Sequence, residues 1–173
     1  MNYNDQSTNI AVQHPEIANK LSRRLIQLRA ARTLWHKDMN QFMDHILRVN
    51  DDGLSYDVFP WIIGRVRKGE KSSQPVSMGA CQEFMPVVLR FLHSDRDEHL
   101  HIALVMVQSL LERFWDQLLQ MSRNHLTSCQ SGNLESLYMI LVTTVERVRQ
   151  LTSCKSPEVN KEATAAYALL EKL

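Results

Sequence analysis

The sequence has little of what a strand-rich or a secreted fold requires. Five glycines and five prolines occur in 173 residues, which are few for the many tight turns of a β fold. Cys81, Cys129 and Cys154 are an odd number of cysteines spaced far apart, which favours reduced thiols in the cytosol or nucleus over a disulfide framework. The net charge of +1 gives no general preference for nucleic acid. Residues 1–13 lack the apolar run of a signal peptide.

The stretch 97–121, DEHLHIALVMVQSLLERFWDQLLQM, is the most apolar part of the chain. At helical spacing its apolar residues cover more than half of the circumference and leave a narrow polar strip. A helix that is apolar on several sides lies between layers, so the pattern predicts a central buried helix. Glu112, Arg113 and Asp116 interrupt the run, which argues against a membrane span.

Periodicity and capping residues predict six further helices, at 15–34, 38–49, 54–66, 77–93 and 134–151 and from 157 onward. The fold class is therefore all-α: about seven helices stacked as helical hairpins of the armadillo or HEAT kind around the central helix. Residues 1–13 are polar and aperiodic, so we expect a disordered lead or an expression remnant before a helical domain at 14–173. Pro15 is expected at the first helical position.

Charge is unevenly distributed over the first two predicted helices. Ile17–Lys37 holds six basic residues and no acidic one, whereas Asp38–Asp57 holds five acids and one arginine. We therefore expect an antiparallel pair of opposite charge. Arg24 projects onto the apolar stripe of the first helix, where a charge needs a partner. That partner is either Asp44 or Asp57 within the fold, or a group on another chain.

No motif for catalysis or for a cofactor stands out. The segment GRVRKGEKS at 64–72 resembles a phosphate loop, but Glu70 separates the second glycine from the lysine, and a carboxylate there repels phosphate. The seven histidines form no set with zinc spacing. We predict no catalytic residue, no cofactor and no metal site, although a triad assembled from distant residues stays open. The methionine-rich stripe is interpreted as core filling.

The order of several segments resembles the conserved C-terminal domain of the regulatory, non-catalytic subunit of katanin. These segments are RAARTLW, MNQFMDHILRVND, YDVFPWII, CQEFMPVVLRFLHS and HIALVMVQSLLERFW. The resemblance covers about Pro15–Leu170, and its most specific features are Arg32 with Trp35, the Asn50-Asp51 turn, Pro86, and Arg113-Phe114-Trp115. The sequence departs from the family in its two loops.

The resemblance implies a helical domain that forms a heterodimer with the N-terminal three-helix domain of the AAA ATPase subunit of katanin. In that family the domain helps to target the ATPase to microtubules for severing, and it also contacts minus-end-binding proteins. Such a protein is expected in the cytoplasm, on the cytoskeleton and at spindle poles, with no membrane partner. The lack of a β-propeller suggests an excised domain or a short subunit of the meiotic spindle type.

Two sets of residues are candidates for these contacts. The set expected to bind the ATPase comprises Leu25, Leu28, Trp35, Phe42, Ile46, Phe59 and Trp61, because aromatic and apolar anchors dominate such interfaces. The set expected to face the acidic filament comprises Arg23, Arg29, Arg32, Lys37, Arg65, Arg67 and Lys68. The main alternative is an unrelated helical adaptor that binds another protein or an acidic surface. A nucleic-acid binder, with a steep dependence on salt, is a third option, and an enzyme is the least favoured.

Overall fold

A computed structural model describes residues 4–72, 74–123 and 132–173, with side chains from residue 15 onward. These ranges contain seven α-helices and no strand. The helices are α1 (Asn4–Lys37), α2 (Met39–Val49), α3 (Asp52–Lys68), α4 (Met78–Leu92), α5 (Asp97–Arg123), α6 (Gly132–Leu151) and α7 (Pro157–Leu170). The predicted all-α fold is confirmed. Cys129 and most of the predicted loop after Met121 lie outside the described residues.

Local capping explains where several helices begin and end. The carboxylate of Asp38 accepts hydrogen bonds from the backbone N–H groups of Asn40 and Gln41 and so caps α2. Asn50 ends α2 in the left-handed region, with φ of 48°. The Ser77 hydroxyl accepts a hydrogen bond from the N–H of Ala80 at the start of α4. The boundaries of α2 to α7 lie within about two residues of the predicted ones, which is the usual uncertainty at helix ends.

The start of α1 differs from the prediction. The helix begins at Asn4, and Pro15 lies inside it, so the prediction that Pro15 is the first helical residue is wrong. Proline favours the first turn because it has no N–H to donate, but it does not require a helix to begin there. Whether residues 1–13 are separate from the functional domain stays a prediction.

The chain divides into two compact units, Met1–Asp57 and Val58–Leu173. In the second unit α5 packs against α4, α6 and α7, which confirms it as a central helix. Leu104, Met106 and Leu110 of α5 are completely buried. Phe59 lies 5.0 Å, between ring centroids, from both Phe84 and Phe91 in the same core.

Hydrogen bonds from side chains to backbone carbonyls join neighbouring helices of this second unit. The buried Gln108 side chain donates to the backbone oxygen of Glu162 at 2.8 Å, which joins α5 to α7. The Nε atom of Arg147 in α6 donates a hydrogen bond to the Leu92 carbonyl at 2.8 Å. This bond gives a partner to a carbonyl that the end of α4 leaves without one inside the helix. One feature was not predicted: Phe114 has non-helical angles, φ −111° and ψ 18°, so α5 is kinked there.

Candidate partner-binding surface

The first unit contains one helix that is much longer than its neighbour. At 1.5 Å per residue, the 34 residues of α1 span about 51 Å. The 11 residues of α2 span only about 16 Å. Because α2 follows α1 after a single residue and packs back against it, it reaches only the C-terminal part of α1. Trp35 and Phe42 meet in this part, with ring centroids 5.0 Å apart in an edge-to-face arrangement.

Arg24, nearer the N-terminus of α1, contacts the first turns of α3. Its Nε and Nη2 atoms donate to the two carboxylate oxygens of Asp57 at 2.8 and 2.7 Å, and Nη2 also lies 3.2 Å from the Gly53 carbonyl. The bidentate geometry is the one that arginine and carboxylate groups favour. The partner of Arg24 is thus one of the two carboxylates named from the sequence, and this guanidinium is occupied within the fold.

Apolar side chains remain exposed on the N-terminal part of α1. Ile17 is 55% exposed, Leu21 is 62% exposed and Leu25 is 49% exposed. Their spacing of four residues places them on one face of the helix. Single exposed apolar residues are ordinary on a protein surface, but a row of them indicates a contact site.

The same face continues as basic surface toward the C-terminus of α1. Arg29 and Arg32 follow Leu25 at steps of four and three residues, and both are exposed. Among the described residues, no carboxylate forms an ion pair with either guanidinium. We call the row Ile17, Leu21, Leu25, Arg29 and Arg32 the α1 ridge.

The residues predicted to bind the ATPase are not all at the surface. Leu25 is exposed, and Leu28, Trp35 and Trp61 are half-buried. Phe42, Ile46 and Phe59 are buried, with exposed fractions of 0, 1 and 0%. A side chain with no accessible surface cannot present that surface to a partner, so the assignment of these three as contact residues is corrected. In α2 the single apolar face that carries Phe42 and Ile46 is used by the fold itself.

The prediction missed Ile17, Leu21 and Ile26, which are among the exposed large apolar residues. A usable signal was present in the sequence. The predicted second helix is too short to cover the first along its whole length, so part of the first helix's apolar stripe has to remain uncovered within this pair.

The residues predicted to face a filament fall in both units. Arg23, Arg29, Arg32 and Lys37 are exposed on α1, and Arg67 and Lys68 are exposed in the last turn of α3. The remaining member of the set, Arg65, is half-buried; burial lowers its pKa, and its Nη1 lies 3.3 Å from Oε1 of Gln74. The Nε atom of Arg67 donates to the Ser109 hydroxyl at 2.9 Å. The two arginines at the end of α3 therefore also serve the second unit's own structure.

Of the cysteines that the structure describes, Cys81 is buried and Cys154 is half-buried. Burial raises the pKa of Cys81 to about 12, against a smaller opposite effect of the Arg113 charge, so its thiol stays protonated and inert at neutral pH. No three His, Cys, Asp or Glu side chains among the described residues are arranged to hold a metal ion. None of the described helices is long and apolar enough to cross a membrane.

One open groove of about 260 Å³ lies in the first unit, lined by Leu34, Gln41, Asp44, His45 and Arg48. Four of these five side chains are polar or charged residues of α2. Small molecules prefer enclosed and mostly apolar pockets, so the groove is a poor ligand site. The α1 ridge is the better candidate for a functional surface.

Comparison with known proteins identifies the family. The con80 domain of katanin matches residues 12–158, a range that includes the whole α1 ridge. KATNB1-like protein 1 of Mus musculus is 24% identical over 151 residues, which cover 87% of this chain and 48% of that protein. The chain thus spans about half the length of this curated relative. Because the family match covers most of the chain and agrees with the helical architecture, the protein belongs to the family of the con80 domain of katanin, which is a domain of the regulatory subunit.

Proposed function

We propose that this chain is a non-catalytic regulatory subunit of a microtubule-severing AAA ATPase. In this proposal it binds the N-terminal helical domain of the ATPase subunit and helps to bring it to microtubules, at the cytoskeleton and the spindle. The observation that carries the proposal is the row of exposed apolar residues on α1, in a chain whose family pairs a regulatory domain with an ATPase.

The α1 ridge suits a helical partner. Three apolar side chains at intervals of four residues form a ridge that turns by about 40° around α1 at each step. An amphipathic helix from another protein can cover this ridge with its own apolar face. Half-buried Leu28 and Trp35 lie at its border, three residues beyond Leu25 and Arg32 respectively. Tryptophan is one of the residue types that most often contribute a large share of the binding energy at an interface.

Binding to the ATPase is tested by titrating the isolated N-terminal domain of the ATPase into this chain in a calorimeter. We expect a complex with one copy of each chain. The variant Leu21→Gln with Leu25→Gln should weaken binding about 100-fold, because two leucines that lose burial at about 1.5 kcal/mol each forfeit about 3 kcal/mol. Glutamine is a good helix former, so α1 should remain intact.

The matched control is Met139→Gln with Val142→Gln, which removes two apolar side chains that are 54% and 39% exposed on α6. We expect this control to bind the ATPase domain as the unchanged chain does. Equal losses in both variants would reject the α1 ridge as the docking surface. A chain that binds no ATPase domain at all would reject the proposed function and favour the alternative, an adaptor for a different protein.

Targeting to microtubules is tested by co-sedimentation with stabilised microtubules at a series of salt concentrations. The exposed basic residues of α1 and of the end of α3 should attract the acidic filament surface, and the attraction should weaken as salt rises. A parallel gel-shift assay with duplex DNA separates this function from nucleic-acid binding. Binding to DNA at salt concentrations that abolish binding to microtubules would reverse the assignment.

A further inference from the structure

The four basic residues of α1 that were assigned to the filament do not lie on one face. With 3.6 residues per turn, each residue advances about 100° around the helix. Arg29 and Arg32 then point within about 40° of Leu25, whereas Arg23 points about 160° away from it and Lys37 about 120° away. Arg32 lies within about 60° of all three apolar residues of the stripe, and Arg29 lies beside Leu25 at its end, about 120° from Ile17. Arg23 and Lys37 lie about 120° or more from every apolar residue of the stripe.

We infer that the cations of α1 serve two different partners, an inference that rests on the proposed function. Arg29 and Arg32 bind carboxylates of the ATPase's helical domain, next to its apolar contact with Ile17, Leu21 and Leu25. Arg23 and Lys37 stay accessible in that complex and face the acidic filament. The segment of the ATPase that lies on the ridge is an amphipathic helix with an acidic group at one end of its apolar stripe.

The charges on the ridge support an acidic occupant. Ile17–Lys37 contains no Asp or Glu, so a partner's carboxylate meets no repulsion from this part of α1. Arg24 is paired with Asp57, whereas no carboxylate among the described residues forms an ion pair with Arg29 or Arg32. Arginine is also the residue best suited to hold a carboxylate through two hydrogen bonds at an interface.

The length of the ridge supports a single helical occupant. From Ile17 to Arg32 the ridge extends about 22 Å, or four turns of helix. A partner helix of about 15 residues covers this length, which is typical of helices in a small helical domain. Apolar and basic parts are then contacted by the same helix at the same time, so their effects on binding should combine.

The inference is tested with two charge-reversal variants of equal net charge. Arg29→Glu with Arg32→Glu should weaken binding to the ATPase N-terminal domain at least tenfold and make the remaining affinity less sensitive to salt. Arg23→Glu with Lys37→Glu should leave that affinity within about threefold, yet should weaken co-sedimentation of the preformed complex with microtubules. All four side chains are exposed, so circular dichroism should show the same helix content in both variants.

A third variant, Arg29→Lys with Arg32→Lys, separates charge from shape. It should bind the ATPase domain far better than the glutamate variant, because it keeps the positive charge. Equal losses from the two charge-reversal variants, or a normal affinity of Arg29→Glu with Arg32→Glu, would overturn the division while leaving the proposed function in place.

Two other results are distinguishable from these. If the unchanged chain does not bind the ATPase domain, the proposed function fails and the division fails with it. If light scattering shows a dimer of this chain alone that Arg29→Glu with Arg32→Glu converts to monomer, the ridge is covered by a second copy, and the acidic helix of the ATPase is not its occupant.

Discussion

At the scale of single residues, Arg24 is the clearest case in which the sequence predicted a specific contact. A charged residue on an apolar stripe needed a counter-charge, and the acidic stretch after the first helix offered Asp44 and Asp57. The structure selects Asp57, at 2.7 and 2.8 Å. Periodicity could not choose between the two, because the choice depends on where α3 begins relative to α1.

Replacing Arg24 should cost little stability, although its geometry is good. The Arg24 side chain is 44% exposed, and exposed ion pairs contribute between about 0 and 1 kcal/mol. We expect Arg24→Met to lower the free energy of unfolding by about 1 kcal/mol in urea denaturation at low salt. Arg23→Met, its exposed neighbour, should change it by less than about 0.5 kcal/mol.

The contribution of the Arg24–Asp57 pair itself is isolated by a double-mutant cycle with Asp57→Asn. The effects of Arg24→Met and Asp57→Asn should add to more than the effect of the double variant, because both remove the same ion pair. Fully additive effects would mean that the two side chains do not interact in solution.

The buried aromatic residues show why residue type alone does not predict which side chains lie at the surface. Phe42 and Phe59 were assigned to a partner because large apolar residues are frequent in interfaces. Both are completely buried, since the same side chains are also the ones that fill cores. A stripe of apolar residues indicates that something covers it, and only the packing shows whether that cover belongs to the same chain.

At the scale of elements, the existence and order of the helices could be predicted because periodicity and caps agree along the chain. Asp38, Ser77 and Pro157 stand at or next to helix starts, as predicted. The kink at Phe114 could not be predicted, because nothing in the local sequence, neither Pro nor Gly, marks it. The start of α1 was not predicted correctly, because a proline gives the same local sequence signal in the first turn of a helix and inside a longer helix. Pro15 is of the second kind.

Two glycines of the α3 region should respond to substitution in opposite ways. Gly69 follows the last residue of α3 with φ of +53°, and an added Cβ would lie 2.9 Å from Nε of Arg113. Gly64 lies inside α3, and an added Cβ would meet nothing within 4 Å. Only glycine adopts the left-handed conformation without cost, whereas alanine is the better residue within a helix.

We therefore expect Gly69→Ala to lower the free energy of unfolding by about 1–2 kcal/mol and Gly64→Ala to raise it by about 0.5–1 kcal/mol. The Arg113 side chain can shift, so the backbone conformation at Gly69 accounts for most of the loss. Chemical denaturation followed by circular dichroism measures both changes. A Gly69→Ala variant as stable as Gly64→Ala would show that the left-handed turn at the end of α3 does not persist in solution.

At the scale of the whole molecule, core and candidate binding surface belong to different parts of the chain. The second unit is built around α5 and has most of the completely buried large side chains. The first unit carries the α1 ridge on a helix that its neighbour α2 covers only in part. A regulatory domain gains from this separation, because changes on the ridge leave the main core intact.

This separation predicts a specific pattern of amide hydrogen exchange. Exposed helices with few tertiary contacts open more easily than core helices. In the free chain, amides of residues 17–26 should exchange faster than those of residues 103–111 in α5. Adding the ATPase N-terminal domain should slow exchange over residues 17–32, since a helix laid on the ridge would hold α1 closed, and should leave residues 103–111 unchanged.

The variant Leu21→Gln with Leu25→Gln serves as the internal comparison in the same exchange experiment. It should keep the slow exchange of α5, because the core of the second unit is untouched, and it should lose most of the protection of α1 at ATPase concentrations that saturate the unchanged chain. Protection that instead appears on α6 around Met139 and Val142, with residues 17–32 unaffected, would move the docking surface to the second unit. The whole chain is needed for this measurement. Only then can protection of one unit be compared with unchanged exchange in the other unit.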